Sequence, residues 1–381
     1  MTFRLNDRVK GEKMEVLHSI CPSCSLGCGI NLITNENKVL GTYPYQRHPV
    51  NEGKTCYEGR QCYKLIDDEK RLKNPLINKN SKLIKSDWEE ALDVVVSKME
   101  SYSSEEIGII GSGKCANEEM DTLKELANTL NIENIGFFTG NMPKFEIKTA
   151  SLEDVENSNF ILIMGDVIKE NPLLGRRVIL ASDKGAEIIT IDTLNKTFTG
   201  INSDEYIKTE SISKFLDTID LELINKLNES SVIIFNKLDN QKDFETIHNI
   251  AENSKSKILP VMEDCNTWGI MKILPALDKR DIENLINNVK LLYVVGANPA
   301  SFAEESLKHI DFLITQSSHI NETVLLSDVV LPASCWAEKT GTFINTTGVP
   351  QKISKILSTP DDVLEDEIII KKIAEKMGIE L

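Results

Sequence analysis

The sequence predicts an α/β fold: a small N-terminal domain built around cysteines, followed by two Rossmann-like lobes with parallel sheets. Three observations predict it. Four cysteines are concentrated near the start of the chain. Short apolar runs then recur, each bounded by turn residues. Segments with helical spacing separate those runs, and such alternation marks parallel sheets covered by helices on both faces.

The first helix is expected at 87–100 (DWEEALDVVVSKME). Trp88, Leu92, Val95, Val96 and Met99 recur there at helical spacing, and Ser86 or Asp87 supplies a cap. An apolar strand follows at 107–111 and a second amphipathic helix at 117–130. Further strands are expected at 160–165, 187–192, 232–236, 291–296 and 312–315, with polar helical segments between them. The predicted domains are 1–58 for the cysteine domain and 59–140 with 255–330 for a discontinuous first lobe. Residues 141–254 form a lobe inserted into it, and 331–381 a C-terminal return segment. No GxGxxG or Walker A motif is present, so a nicotinamide or nucleotide-hydrolysis reading has no local support. Two loops sit just past strand ends, Gly296-Ala297-Asn298-Pro299 and Asp192-Thr193-Leu194. Ligands of doubly wound sheets bind at such places, although taken alone an ordinary turn explains each loop.

The 381 residues suffice for two or three domains. A net charge of −16 repels phosphate backbones and argues against a nucleic-acid partner. Residues 1–18 show no signal-peptide core and no twin arginine, and no stretch is apolar enough to span a bilayer. The eight cysteines show no secreted disulfide framework. A cytoplasmic protein without membrane insertion is expected.

The cysteines carry the sharpest chemical signal. Cys21, Cys24, Cys28 and Cys56 stand at C-x2-C-x3-C-x27-C. Three thiolates in eight residues can wrap one face of an inorganic cluster, and the fourth closes the other. This spacing predicts a [4Fe–4S] cluster. The alternative is structural zinc, but zinc ribbons show a C-x2-C pair at each end of a loop, and Cys56 has no such partner. Cys62, Cys115, Cys265 and Cys335 lack partners by spacing and are expected to be buried, small and apolar in behaviour. His48 is expected to be structural, and His18, His248, His309 and His319 form no catalytic constellation. The acidic run 361–367 (DDVLEDE) reads as a solvated helix start.

The segments CPSCSLGCGINL, RHPVNEGKTCYEGRQCY and RLKNPLI together resemble the start of molybdopterin oxidoreductases, and in particular the alpha chain of methanogen-type formate dehydrogenases. In the family's order follow KCANEE (114–119), DCNTWG (264–269), GANPASF (296–302) and SDVVLPASCWAEKTGTFINTTGVPQ (327–351). The resemblance implies a [4Fe–4S] cluster on Cys21, Cys24, Cys28 and Cys56. It also implies a molybdenum or tungsten bis-pterin guanine dinucleotide between two α/β lobes. Pterin and guanine present many hydrogen-bonding edges, which Asn266, Asn298 and Asn345 suit, with Gly296 and Gly341 in the same loops. Implied partners are other redox subunits: an iron–sulfur or flavin-containing chain, and a separate pterin-binding barrel subunit, because the family's C-terminal barrel has no counterpart before Leu381.

Three departures bear on function. The family carries C-x-K-G at its fourth cysteine, with the lysine between cluster and pterin; here the segment is Cys56-Tyr57-Glu58-Gly59. The family places a cysteine or selenocysteine metal ligand, usually followed by histidine, after the helix matching 117–130. Residues 131–148 (NIENIGFFTGNMPKFEIK) contain no cysteine, histidine or serine. The family's arginines are missing from both 346–351 and 192–194. The expected function is an iron–sulfur subunit of a formate-dehydrogenase-like complex that relays electrons or scaffolds, with a degenerate substrate site and no catalytic residue assigned. The alternative is an active molybdenum or tungsten oxidoreductase, for formate or a formyl group, completed by a separate barrel subunit.

Overall fold

The computed structural model describes residues 14–140, 142 and 144–381. Residues 1–13, Asn141 and Pro143 lie outside the described residues. The mixed α/β architecture expected from the sequence is present, with a small antiparallel sheet first and parallel-strand sheets after it.

The first sheet pairs Met14–Ile20 with Gly29–Asn35, and Gly29–Asn35 with Lys38–Pro44, all antiparallel. Its side chains Ile30 and Leu32 are buried together with Leu26 of the cysteine loop. A short helix, Tyr57–Gln61, is N-capped by Cys56. It lies across Lys38–Pro44, where the Thr42 hydroxyl donates to the Gly59 and Arg60 carbonyls at 3.1 and 2.8 Å.

The larger sheet has eight strands. Their spatial order is Ala276–Leu277, Ile135–Phe138, Ile107–Ser112, Leu291–Val295, Phe312–Ser317, Val329–Pro332, Leu76–Asn78 and Leu83–Lys85. The first six run parallel, and Leu76–Asn78 is antiparallel to both its neighbours. Ile107–Ser112 and Leu291–Val295 are buried on both faces, which is why they read as unbroken apolar runs. Helix Trp88–Ser101 starts at Asp87, whose carboxylate accepts from Glu90 N–H at 2.8 Å. Its buried face is Ala91, Leu92, Val95, Val96 and Met99.

The second sheet has five parallel strands between residues 160 and 260. Their order is Glu205–Lys208, Glu187–Asp192, Phe160–Met164, Ser231–Phe235 and Lys257–Pro260. The last of these lies past residue 254 and pairs with this sheet rather than with the larger one. A hairpin, Gly341–Ile344 with Pro350–Ile353, and a final helix, Asp366–Lys376, complete the chain.

One expectation is corrected here. The acidic run at 361–367 is not simply solvated. Asp361 and Asp362 are exposed, but Asp366 is buried, because Lys339 and the Gln316 amide approach its carboxylate at 3.0 and 2.8 Å.

Candidate functional site

Each parallel sheet reverses its winding once. From Ile107–Ser112 the chain goes to Ile135–Phe138 on one side and later returns at Leu291–Val295 on the other. From Phe160–Met164 it goes to Glu187–Asp192 and then to Ser231–Phe235 on the opposite side. The loops beyond the carboxyl ends of such strands must part, and a crevice opens between them.

Both crevices are present. The first is a cavity of about 180 Å³ beyond Ile107–Ser112 and Leu291–Val295, lined by Ser112, Lys114, Asp264, Gly296, Asn298 and their neighbours. The second is a cavity of about 520 Å³ beyond Phe160–Met164 and Ser231–Phe235, lined by Gly165, Asp166, Glu170, Asp192, Asn236, Lys237 and others. Thr139 and Glu263 line both, so the two crevices meet. Ser23 and Cys24 line the second, which brings the cysteine loop to the same place.

Glycine shapes both openings. Gly296 has φ +69°, and a Cβ there would lie 2.8 Å from the Cys115 sulfur. Gly165 has φ +102°, and a Cβ would lie 1.9 Å from Asn236 Oδ1. Neither position accepts a side chain without displacing a neighbour. Glu170 is held above the usual carboxylate range, first by burial and then by the charges of Asp166 and Asp192. Burial likewise raises Asp264, against the pull of Lys114, whose ammonium is 3.8 Å away.

The four expected cluster ligands lie in one region, in and beside the cysteine loop. Burial pushes the Cys24 thiol up to about 12, and the charges of Cys21 and Cys56 add to this. Cys28 is raised by burial and by the charges of Cys24, Cys21 and Cys56. A Cβ on Gly59 would stand 3.7 Å from both the Cys21 and Cys56 sulfurs. The Gly59 N–H donates to Cys56 Sγ at 3.4 Å. Among the described residues, no three His, Cys, Asp or Glu side chains converge tightly enough for one metal ion. Sulfurs around a single zinc stand about 4 Å apart. Four thiolates are the donor set that a cubane cluster takes.

The other sequence-predicted residues divide. Gly296 and Asn298 line the first crevice. Asn298 also accepts from the Thr323 N–H and hydroxyl and donates to Glu322 at 2.7 Å. Asn266 is fully buried behind that crevice. It donates to the Cys115 carbonyl and Asn117 Oδ1 at 2.8 and 2.9 Å and accepts from Ile344 N–H at 2.7 Å. Gly341 packs against Ala116, where a Cβ would meet Ala116 Cβ at 2.5 Å. Asn345 accepts from Val349 and Thr347 N–H at 3.0 and 3.1 Å, holding the turn of the hairpin, and lines a separate cavity with His18 and His48. His48 is structural: its ring accepts from Gly29 N–H at 3.1 Å. Cys62, Cys115, Cys265 and Cys335 are all buried.

Thr139, Glu263, Asp166 and Lys237 were not singled out in the sequence. Their one signal is position, immediately after an apolar run or its paired loop. The carboxylates suit the donor edges of guanine and pterin, and Lys114 and Lys237 are the cations available to a diphosphate. The lining thus fits a pterin dinucleotide in kind.

The molybdopterin oxidoreductase Fe4S4 domain matches residues 14–68, and the molybdopterin oxidoreductase family matches residues 71–376. The chain is 31% identical to the F420-dependent formate dehydrogenase subunit alpha of Methanocaldococcus jannaschii, covering 96% of this chain and 71% of the relative. It is 24% identical to an NADH-quinone oxidoreductase subunit of Rickettsia prowazekii, over 98% of this chain and 57% of the relative. The fold is similar to acetylene hydratase from Pelobacter acetylenicus, with a TM-score of 0.69 at 15% identity over 95% of this chain and 69% of that one. The chain therefore belongs to the molybdopterin oxidoreductases, with a [4Fe–4S] cluster in its N-terminal domain and a molybdenum or tungsten pterin as cofactor.

Proposed function

We propose that this chain is the cluster-bearing subunit of a formate-dehydrogenase-like redox complex, and that it relays electrons or scaffolds the complex rather than turning over formate itself. The observation that carries this reading is the connection leaving Ile135–Phe138. It runs past the junction of the two crevices, and residues 131–148 offer no thiol, imidazole or serine hydroxyl. Met142 and Phe145 are buried in it, and Phe145 packs on Phe244 and Trp268 with ring centroids 5.1 and 5.0 Å apart. Apolar packing occupies this stretch, and the oxygen donors that remain are hard ligands where the family uses a soft one.

The lengths of the matches agree. The match to the Methanocaldococcus protein runs over 478 positions, far more than the 381 residues of the chain. That relative therefore carries substantial internal stretches missing here. The match to the Rickettsia protein runs over only 402 positions. In spacing, the chain is nearer to that component of an NADH-quinone oxidoreductase.

When bound, the cluster supplies a one-electron carrier and the metal pterin a further redox centre. The chain's own residues hold, orient and shield them. Cys21, Cys24, Cys28 and Cys56 hold the cluster. The Gly59 N–H steadies the Cys56 sulfur, and Leu26, Ile30 and Leu32 keep water from that side. Lys114 and Lys237 stand at the crevices for a diphosphate, while no arginine among the described residues lines either crevice to fork a substrate carboxylate. The relatives are subunits of larger redox enzymes, so redox partners are expected here too.

The second reading, an active oxidoreductase completed by a barrel subunit, is favoured by the two intact crevices. Metal and pterin analysis and a formate assay of anaerobically purified protein, alone and with its native partners, separate the two. A full cluster and bound metal pterin, with no formate turnover by the chain alone, supports the relay. Stoichiometric metal and pterin with formate turnover in the complex supports the enzyme.

A further inference from the structure

The cavity that Asn345 shares with His18 and His48 is separate from both crevices. It lies where the end of strand Met14–Ile20, residues 45–50 and the hairpin strand Pro350–Ile353 meet. Its volume is about 540 Å³, room for a small organic ligand. No described Asp or Glu lines it, although the chain carries 59 of them, whereas Lys352 and two imidazoles do. Ile20, Val50, Leu152 and Val349 give it apolar walls, and His18, stacked on Tyr45 with ring centroids 4.2 Å apart, gives it a flat one.

Its polar groups face one another without an acceptor. The Gly29 N–H donates to Asn51 Oδ1 at 2.8 Å and to His48 Nδ1 at 3.1 Å. An N–H can only donate, so His48 Nδ1 is the acceptor and the ring carries its proton on Nε2. The Gly27 carbonyl can only accept, so Gln351 turns Nε2 to it at 2.8 Å. That sets Gln351 Oε1, buried and without a hydrogen-bond partner, against Gly27, where a Cβ would lie 1.9 Å from it. His48 Nε2 and Gln351 Nε2 then stand 3.5 Å apart, and both are donors. Turning the amide over would only set its oxygen against the Gly27 carbonyl. The Ser19 hydroxyl also lines the cavity, buried and without a partner. Buried polar groups left unpaired cost free energy. One oxygen can accept from two donors at this separation.

We propose that this cavity binds the carboxylate of a small organic acid with an apolar body. A carboxylate oxygen accepts from His48 Nε2–H and the Gln351 amide, and the body lies against the His18 and Tyr45 rings and the aliphatic wall. The absence of lining carboxylates, with Lys352 present, favours an anion over a neutral acceptor. No arginine lines the cavity, so a phosphate dianion finds no fork here. The site does not depend on whether the chain turns over formate.

The test is isothermal titration calorimetry of the full chain, purified anaerobically, with iron and sulfide counted first so that cluster loss is read separately. The probe is benzoate, with benzyl alcohol as its neutral counterpart and inorganic phosphate as the other anion. Benzoate is expected to bind once per chain with a Kd of about 1 mM or tighter, and both controls more weakly. Gln351→Leu removes the amide donor, and Lys352→Glu reverses the charge at an exposed position that folding tolerates. Each should weaken benzoate at least about tenfold, the scale of one charge-assisted hydrogen bond, while Lys352→Arg retains it. No benzoate binding by the cluster-loaded wild type overturns the proposal. So does binding of benzyl alcohol or phosphate as tight as that of benzoate, and so does undiminished benzoate binding by both Gln351→Leu and Lys352→Glu.

Discussion

The Lys339 ammonium lies 2.7 Å from the Glu119 carboxylate, with both side chains buried. Asp366 approaches the same ammonium at 3.0 Å. The group ties helix Asn117–Thr129, the loop before Gly341–Ile344 and the final helix Asp366–Lys376 into one unit. Two carboxylates share one cation, and burial raises Glu119 to about 8 against the pull of Lys339. Between its ordinary 4.5 and about 8 the folded chain holds more protons here than the unfolded one. Stability contributed by this site therefore falls as pH rises through that window. Glu119→Gln keeps the hydrogen-bond acceptor for the Ala116 N–H and removes the titration. The expected result is a flatter dependence of the urea midpoint on pH between about 5 and 8 than in wild type. Equal slopes would show that Glu119 is ionised in the folded chain throughout.

Arg71 is buried beside Glu338 and donates to the Ser318 and Ala333 carbonyls at 2.8 and 2.7 Å. It joins the segment leaving the cluster domain to the strand ends of the larger sheet. Arg71→Met leaves a buried carboxylate without its cation and is expected to cost about 3–5 kcal/mol. Chemical denaturation measures it, and Arg71→Met/Glu338→Gln should recover part of the loss by removing the orphaned charge.

Cluster binding is expected to depend on Cys56 and not on Cys335. Cys56 faces Cys21 across Gly59, whereas Cys335 is buried near the Leu65 carbonyl, 3.7 Å away. Cys56→Ser should lose or degrade the cluster, with iron and sulfide falling well below about four each per chain. Cys335→Ser should retain it. Stoichiometric zinc without sulfide in wild type would falsify the cluster assignment.

Glu58 occupies the first turn of helix Tyr57–Gln61, is exposed, and its charge acts on Cys21. A cation at this position favours the reduced, more negative cluster. Glu58→Lys should therefore raise the midpoint potential, by on the order of tens of millivolts for an exposed charge in a high-dielectric setting. Redox titration followed by electron paramagnetic resonance reads the shift. A lowered or unchanged potential would mean that solvent screens this position from the cluster.

Much of the scaffold was legible because its strands are buried on both faces. Runs such as FILIM and LLYVV have no polar interruption, so the strands begin and end within a residue or two of their apolar limits. Helix Trp88–Ser101 was legible from the period of its buried face and from Asp87. The antiparallel strands Met14–Ile20, Gly29–Asn35 and Lys38–Pro44 were not, because the two outer strands are largely exposed and the cysteine loop separates the first from the second. The Fe4S4 domain was legible because a compact inorganic group imposes a local cysteine spacing. The crevice residues Thr139 and Glu263 were not, since each is a single side chain brought to the junction by a different sheet. Asn266 and Asn345 show the converse. Their residue type suggested a ligand, and nothing in the sequence signalled that their amides also meet partners far away in the chain. Asp366 looked solvated for the same reason, because Lys339 lies 27 positions away.

The central claim, that this chain does not oxidise formate by itself, is tested most directly by formate-dependent reduction of a viologen dye under strict anaerobiosis. The protein should be replete with iron, sulfide and metal pterin, so that cofactor loss cannot imitate inactivity. A soft ligand to tune the metal, an imidazole to move the proton and an arginine to fix the carboxylate are all missing from 131–148. Lys144 and Lys148 offer only point charges. The account predicts no formate-dependent reduction above the rate without protein. Turnover of about one per second or faster, within the ordinary range for enzymes, would contradict it and show that another residue of this chain binds the metal.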